Sequence, residues 1–367
     1  MSSNSIIPRL WVILIVMLLL FLAAGCGVPL APAREPIARS PMVADVAVGN
    51  VASVIPIEPG PGGVPVVAVA MPHGREWFML DTGADVTLLS PVTAKQMHLD
   101  IKPIQVKGVD AAGNTKMSHG VVLLQNIDVG GVEFRDFYAV VADIGKTSDA
   151  SHHIAGVAGL PMFSDVLMTI DYQHNELRLQ HGSLPPANGQ DIFPILWRDG
   201  SMYVLMKIGD REIPMLVDTG YSGTLMLPAR MRRSLAGATQ TLTTVQTSYF
   251  YGSSACDVVM LHDDLQIGRH SIHEPVAALS DQPIAAIGAR YLCSFMITID
   301  QKNSRIRFAN PGSAGPVVVP SYRGQRNFAK LVEQMRESLR NDQPRAMKSP
   351  VQKTPPDQVP AGDDLRL

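Results

Sequence analysis

One short pattern occurs twice in this chain and constrains its fold more than any other feature. An apolar run leads into Asp81-Thr82-Gly83 and the chain then turns apolar again; the arrangement returns at Asp218-Thr219-Gly220. A single Asp-Thr-Gly is weak evidence, because average residue usage produces it by chance in about one chain in ten of this length. Two copies between strand-like apolar runs predict that the surrounding sequence also repeats.

The sequence around the two motifs does repeat in the same order. In each copy β-branched runs precede the aspartate, a hairpin with a Gly-containing tip follows it, and a strand, a turn and a second strand close the copy. Before the closing strands an apolar stretch ends in a glycine. In the first copy 78 positions separate Asp81 from this Gly159, and in the second 70 separate its aspartate from Gly288. Repetition at about 130 residues predicts two all-β domains of one design.

A further aspartate repeats as Asp171 and Asp300. They follow the motif aspartates of their copies by 90 and 82 positions, again a difference of eight, so one insertion before Gly159 accounts for both spacings. Each precedes a strand turn, and we therefore interpret them as structural.

Length and composition agree with two domains. The chain has 367 residues, of which 46% are hydrophobic and 17% charged, as in globular proteins. Composition shifts place the boundaries as follows: a lipoprotein-type signal peptide at 1–26, a Pro-rich flexible tether at 27–63, the first repeat at 64–181, a linker at 182–190, the second repeat at 191–310, and a short helix with a disordered tail at 311–367.

Charge and motif content exclude several classes of function. The formal net charge of −2 gives no electrostatic basis for a nucleic-acid partner. The chain also has no zinc-type Cys/His spacing, no P-loop and no dinucleotide-binding fingerprint.

The N-terminus has the pattern of an export signal. Arg9 precedes an apolar run, Leu10 to Ala24, of about fifteen residues, which is short for a membrane-spanning helix of about 20. Leu22-Ala23-Ala24-Gly25-Cys26 resembles the lipobox of bacterial lipoproteins, although Ala23 stands where that pattern usually has Leu. The resemblance implies that Cys26 is lipidated, and Gly27 after it favours the outer membrane. An uncleaved anchor or a plain secretory signal are the alternatives.

Two further cysteines remain, Cys256 and Cys293. An exported compartment permits a disulfide between them, but two buried thiols fit the sequence equally.

The motifs resemble those of one family. Leu80-Asp81-Thr82-Gly83-Ala84-Asp85 is similar to the active-site turn of retroviral-type aspartic proteases, the retropepsins. Ala286-Ile287-Gly288-Ala289-Arg290 resembles their second glycine motif, and Val157-Ala158-Gly159 takes its place in the first repeat without a following Arg. The resemblance covers about residues 64–310. It implies two retropepsin-like β-barrel lobes in a pepsin-like, pseudo-two-fold bilobal unit with a cleft between them.

Asp81 and Asp218 are the candidate catalytic pair. Two adjacent carboxyls cannot both ionise easily and share one proton, so together they can activate a water and supply a proton to a leaving amine. By resemblance, Thr82 and Thr219 hydrogen-bond across the lobe interface, and Gly83 and Gly220 give the turns backbone freedom and close approach. The alternative is that each Asp merely caps a turn.

Residues near the motifs are candidates for binding substrate. By resemblance, Asp85 binds the substrate main chain, with Ala84 beside it; Asp85 could equally be an ordinary turn residue. The segments 108–115 and 247–254 are candidate flaps, and their residues Gly113, Tyr249 and Tyr251 are further candidates for binding substrate. The two tyrosines could equally be packed surface residues. Pepsins have a hydroxyl residue at the position of Ala84 and Tyr221. Neither residue can bond the carboxylate in that way, which predicts a mildly acidic pH optimum.

The sequence thus predicts an aspartic endopeptidase of the bacterial cell envelope, lipid-anchored on the periplasmic or outer-membrane side. Its partners would be a peptide or protein substrate and the membrane, and it would work as a monomer without metal or organic cofactor. One alternative is a catalytically silent peptide-binding or envelope-assembly relative. Another is an intermolecular dimer of one repeat, with the other as scaffold.

Overall fold

The computed structural model describes residues 42–49, 52–72, 74–110, 114–144, 152–233, 235, 240–248 and 253–321. The predicted signal peptide, Cys26 and the predicted C-terminal helix lie outside these residues. In the described part of the chain, no helix is both long and apolar enough to cross a bilayer.

The first repeat is built from short strands and one short helix, α1 (Pro91–Gln96). Its strands are β1 (Asp45–Ala47), β2 (Ser53–Pro59), β3 (Pro65–Met71), β4 (Gly74–Asp81), β5 (Leu88–Leu89), β6 (Lys107–Val109), β7 (Thr115–Met117), β8 (Gly120–Leu124), β9 (Ile127–Val129), β10 (Val132–Arg135), β11 (Phe137–Val141), β12 (Ile154–Gly159), β13 (Leu167–Asp171) and β14 (Glu176–Gln180).

The second repeat follows the same plan, with α2 (Ala289–Leu292) after its glycine motif. Its strands are β15 (Ile192–Pro194), β16 (Leu196–Arg198), β17 (Ser201–Ile208), β18 (Arg211–Asp218), β19 (Leu225–Pro228), β20 (Gln240–Ser248), β21 (Ser253–Met260), β22 (Leu265–Ile267), β23 (His270–Ile272), β24 (Val276–Ser280), β25 (Ala286–Gly288), β26 (Met296–Asp300), β27 (Arg305–Ala309) and β28 (Val318–Val319). The all-β, bilobal fold class is confirmed.

Each motif aspartate is the last residue of a strand that becomes buried along its length. In β4 and β18 the first residues are exposed and the last four, ending at Asp81 and Asp218, are buried. Each strand pairs with its predecessor as an antiparallel hairpin and with the glycine-motif strand in parallel. That parallel register sets Asp81 beside Gly159 and Asp218 beside Gly288, so both repeats bring aspartate and glycine together in the same way.

The closing hairpins of the two repeats join in one sheet. Strand β13 lies antiparallel to both β14 and β26, and β26 lies antiparallel to β27. Its strands carry mostly apolar buried residues, and one core cluster contains buried side chains of both repeats. The two lobes therefore share a continuous hydrophobic core, which holds the two motifs in a fixed relation.

The predicted tether at 27–63 is wrong in its C-terminal part, because β1 and β2 lie within it. Strand β2 pairs with β14 up to Pro56 and with β3 from Ile57 onward, so it links the shared sheet to the first lobe. Ile55 and Ile57 are buried, in a period-two pattern that the surrounding prolines obscured. Pro56 is tolerated because the strand changes partner there.

The predicted end of the second repeat at residue 310 is also too early. Val317 is buried and its N–H donates to Nδ1 of His270 at 2.8 Å. Strand β28 then pairs in parallel with β23. The folded lobe thus extends at least to Val319, and a segment with little internal pattern is ordered by backbone pairing.

Candidate active site

The two motif turns meet with their carboxyls side by side. Asp81 is 5% and Asp218 9% exposed. A Cβ built on Gly83 would lie 2.6 Å from Cγ of Asp218, and one built on Gly220 would lie 2.5 Å from Oδ2 of Asp81. Each glycine therefore lies against the carboxyl of the opposite repeat, and only a residue without a side chain allows this approach.

The threonines of the motifs form a reciprocal set of hydrogen bonds. The N–H of Thr82 donates to Oγ1 of Thr219 at 3.0 Å, and the N–H of Thr219 donates to Oγ1 of Thr82 at 3.1 Å. Each hydroxyl in turn donates across the interface at 2.6 Å, Thr82 to the carbonyl of Val217 and Thr219 to the carbonyl of Leu80. All four bonds are buried, so the resemblance-based expectation for this pair matches the geometry.

The two carboxyls lie side by side but differ in their backbone donors. Oδ1 of Asp81 accepts the N–H groups of Gly83 at 2.8 Å and Ala84 at 3.2 Å. Oδ1 of Asp218 accepts the N–H of Tyr221 at 2.8 Å. Hydrogen bonds from backbone N–H groups favour the ionised form of the acceptor.

Burial is the main cause of the shifted acidities. It raises the pKa of Asp81 above its ordinary value. It raises the pKa of Asp218 well above the ordinary value, and the negative charge of Asp81 raises it further. Both directions favour one proton shared by the pair at a pH where ordinary carboxyls are ionised.

The glycine motifs press against the turns in both repeats. A Cβ on Gly159 would lie 2.6 Å from the carbonyl carbon of Val86, and one on Gly288 would lie 2.5 Å from the carbonyl oxygen of Gly223. The N–H of Leu160 donates to the carbonyl of Ala84 at 3.1 Å. The second repeat has the matching bond, from Ala289 to Tyr221, at 2.7 Å. Packing and hydrogen bonds thus lock each turn to the strand behind it.

Of the residues predicted to bind substrate, Asp85 is exposed, and its Cβ lies 3.3 Å from a Cβ built on Gly200 in the other repeat. Its counterpart Ser222 approaches Gly62 of the first repeat in the same way. Ala84 contributes its backbone to the turn. Gly113, Tyr249 and Tyr251 lie outside the described residues.

The predicted flap hairpins are present at their bases and differ in length. Strands β6 and β7 form a separate two-stranded ribbon of three residues each. Strands β20 and β21 pair from Gln240–Met260 to Ser248–Ser253 and join the main sheet of their lobe through β24. The second repeat therefore carries the longer and better anchored hairpin.

Asp171 and Asp300 have structural partners. Asp171 accepts hydrogen bonds from the backbone and ring of His174 at 3.2 and 2.8 Å. Asp300 accepts the N–H of Leu184 at 2.8 Å and that of Asn303 at 3.1 Å. Both aspartates are buried and fix the turns that follow their strands.

The structure does not join Cys256 and Cys293 in a disulfide; the first thiol is buried and the second exposed. Among the described residues, no group of three His, Cys, Asp or Glu side chains is placed to hold a metal ion.

Sequence reasoning did not single out Gly223, on whose α-carbon the Tyr221 ring rests. Aligning the repeats would have found it, because the first repeat has Val86 at that position. It also missed Tyr172, which follows β13. Burial raises the pKa of Tyr172 well above its ordinary value, with smaller effects from Cys293, Asp218 and Asp81.

A bilobal all-β fold with two Asp-Thr-Gly turns that meet at a buried carboxyl pair defines the aspartic-protease class. Comparison with family models agrees, since residues 73–159 and 204–290 each match the aspartyl protease family. Each repeat therefore matches an aspartyl protease domain, and the two domains in tandem are consistent with a retropepsin-like protease of two repeats. A comparison with curated proteins found no match.

Proposed function

We propose that this protein is an aspartic endopeptidase that hydrolyses peptide bonds with a water activated between Asp81 and Asp218. The observation that carries the proposal is the reciprocal placement of the two buried carboxyls, each set by its own turn and by the glycine of the other repeat. Turn capping alone would not require each carboxyl to lie against the glycine of the other repeat.

The unequal hydrogen bonding suggests a role for each carboxyl. Asp81, with two N–H donors, is the better stabilised anion and acts as the base that takes a proton from the water. Asp218, whose pKa is raised further, keeps the shared proton and donates it to the carbonyl oxygen of the scissile bond. When the C–N bond breaks, Asp81 gives its new proton to the leaving amine, and a hydroxyl of the tetrahedral intermediate returns its proton to Asp218, which restores the singly protonated pair.

Substrate access depends on the two hairpins. An extended peptide would lie between the motif turns and the ribbons formed by β6–β7 and β20–β21, which would close over it and exclude water. Exclusion of water strengthens each electrostatic interaction with the carboxyl pair.

We also propose that the enzyme is tethered to the bacterial envelope through a lipidated Cys26, on the periplasmic or outer-membrane side. The support is the lipobox-like sequence and the Pro-rich segment that follows it. Mass spectrometry of the mature N-terminal peptide tests this: a diacylated Cys26 is expected, and Cys26→Ser should be released from the membrane. An unmodified or uncleaved N-terminus would contradict the tether.

A peptide-library cleavage assay tests the activity. Asp81→Asn and Asp218→Asn should each lower kcat by about 10²–10⁴-fold, the usual contribution of an acid–base group. Asp210→Asn, the same change at an exposed hairpin position of the second repeat, serves as the control and should keep full activity. Full activity in either of the first two variants would refute the shared pair. Peptide binding without cleavage by the unmodified protein would support the silent relative instead.

A further inference from the structure

The two repeats differ at three consecutive positions of an otherwise equivalent turn, and two of these differences, on either side of the pair Asp85 and Ser222, concern packing. The third residue after the aspartate is Ala84 in one repeat and Tyr221 in the other, and the fifth is Val86 or Gly223. The backbone of Val86 lies against Gly159, and the backbone of Gly223 lies against Gly288. The two positions therefore correspond in space as well as in sequence.

The Tyr221 ring fills the space left by the missing side chain. A Cβ on Gly223 would lie 2.7 Å from Cε2 of Tyr221 and nearer still to Cζ and the hydroxyl, while one on Gly288 would lie 2.5 Å from Cδ1. The ring therefore covers the α-carbons of both glycines. In the first repeat, Val86 and Ala84 pack together against their own apolar cluster. The side chains of Ala84 and Val86 in the first repeat thus fill the volume that the Tyr221 ring fills beside Gly223 in the second.

Tyr221 is held by its main chain as well. Its carbonyl accepts the N–H of Ala289 at 2.7 Å, and its own N–H donates to Oδ1 of Asp218 at 2.8 Å. Because the ring and the main chain belong to one short turn, a turn that repacks after loss of the ring would move this N–H relative to the carboxyl.

We propose that Tyr221 is a positioning residue for Asp218: its ring, wedged against Gly223 and Gly288, fixes the N–H that orients the carboxyl. This inference rests on the proposed function of the carboxyl pair. It goes beyond that function by assigning the geometry of one carboxyl to a side chain that does not touch substrate. In the first repeat, Ala84 and Val86 take these two positions, and the N–H of Ala84 donates to Oδ1 of Asp81 at 3.2 Å.

Substitutions that give the second repeat the residues of the first test the positioning role of Tyr221. Tyr221→Ala should lower kcat by about 10²-fold with a smaller change in KM, because a misplacement of about 1 Å has effects of that size. Gly223→Val alone should be at least as harmful, since the new side chain overlaps the ring. The double variant Tyr221→Ala/Gly223→Val, which copies the first repeat, should recover to within about tenfold of the parent protein. Tyr221→Phe keeps the ring and should stay within about threefold, because the hydroxyl lies 3.4 Å from the carbonyl of Leu225 and its bond is weak.

A second readout does not depend on turnover. Carboxyl ¹³C NMR of the full chain should show a higher pKa for Asp218 in Tyr221→Ala, because loss of a well-placed N–H donor disfavours the anion. The double variant should reverse the shift. If the parent protein cleaves no peptide, the proposed function fails, but this titration still tests whether Tyr221 positions Asp218.

Two outcomes would overturn the inference. One is a folded Tyr221→Ala protein with the parent kcat and the parent Asp218 titration. The other is a double variant that folds, as judged by thermal unfolding, but is no better than Tyr221→Ala. Should Tyr221→Ala itself fail to fold, the double variant and Tyr221→Phe still test the inference, since both keep the space beside Gly288 filled by a side chain.

Discussion

Thr169 and Thr298 lie directly opposite each other in the antiparallel pair β13–β26, and their hydroxyl oxygens are 2.9 Å apart. Each stands two positions before the aspartate that closes its repeat, Asp171 or Asp300. The pseudo-two-fold relation between the repeats therefore passes between these two threonines. One chain thus supplies both halves of the arrangement.

This relation predicts one active site per chain. A pepstatin-like inhibitor should titrate the protein at one equivalent per monomer, because both carboxyls come from the same chain. Isothermal titration together with sedimentation analysis measures the ratio and the mass. One inhibitor per two chains, or activity that requires dimerisation, would instead indicate an intermolecular pair.

Replacement of Asp218 should stabilise the fold at neutral pH. A carboxyl with a raised pKa favours the folded state while it is protonated. That contribution is complete below the unfolded pKa, near 4, and is lost as the pH rises through the folded pKa. Asp218→Asn avoids the loss, so its unfolding free energy at pH 7 should exceed that of the parent protein, by about 1.4 kcal/mol for each pKa unit by which folding raises the pKa of this carboxyl. The difference should nearly vanish at pH 4 in urea unfolding experiments; a variant less stable at pH 7 would contradict the assigned direction.

The pH–rate profile should be bell-shaped with a mildly acidic maximum. Activity falls at low pH when both carboxyls are protonated and at high pH when both are ionised. Both sides of the profile shift to higher pH, because burial raises the pKa of Asp81 and raises that of Asp218 still more. The measurement is kcat/KM against pH on a peptide without ionisable groups. A maximum near pH 2 would show that the carboxyls are not desolvated as described.

The threonine pair should contribute strongly to stability. Thr82→Val removes a hydroxyl that donates to Val217 and accepts from Thr219, and leaves both partners buried without it. The expected loss is about 2–5 kcal/mol, since each unsatisfied buried group costs about 1–3 kcal/mol. Thermal and urea unfolding measure the loss, and Thr219→Val should behave alike by symmetry. Thr82→Ser keeps the hydroxyl and is the matched control; equal losses in the Ser and Val variants would mean that the methyl group, rather than the hydrogen bonds, matters.

Local patterns predicted the strands well where they were buried on a regular period. The residues before Asp81 and Asp218 form the buried ends of β4 and β18 as expected, since an apolar run that ends in a polar turn has few other solutions. Strand β2 was missed because its stability comes from two partners, β14 and β3, that are distant in sequence. Strand β28 was missed for the same reason, as Val317 is held by His270. Pairing of this kind is a tertiary property, and no local periodicity encodes it.

The sequence by itself determined that the chain has two repeats, that each ends a buried strand in Asp-Thr-Gly, and that the two aspartates belong together. Repetition is a property of order along the chain and needs no coordinates. Only the tertiary structure decided how unequal the halves are: which carboxyl receives two N–H donors, which turn is filled by Tyr221, and where Gly83 and Gly220 contact the opposite aspartates. These are contacts across a pseudo-two-fold interface, and distances there depend on the packing of both lobes at once.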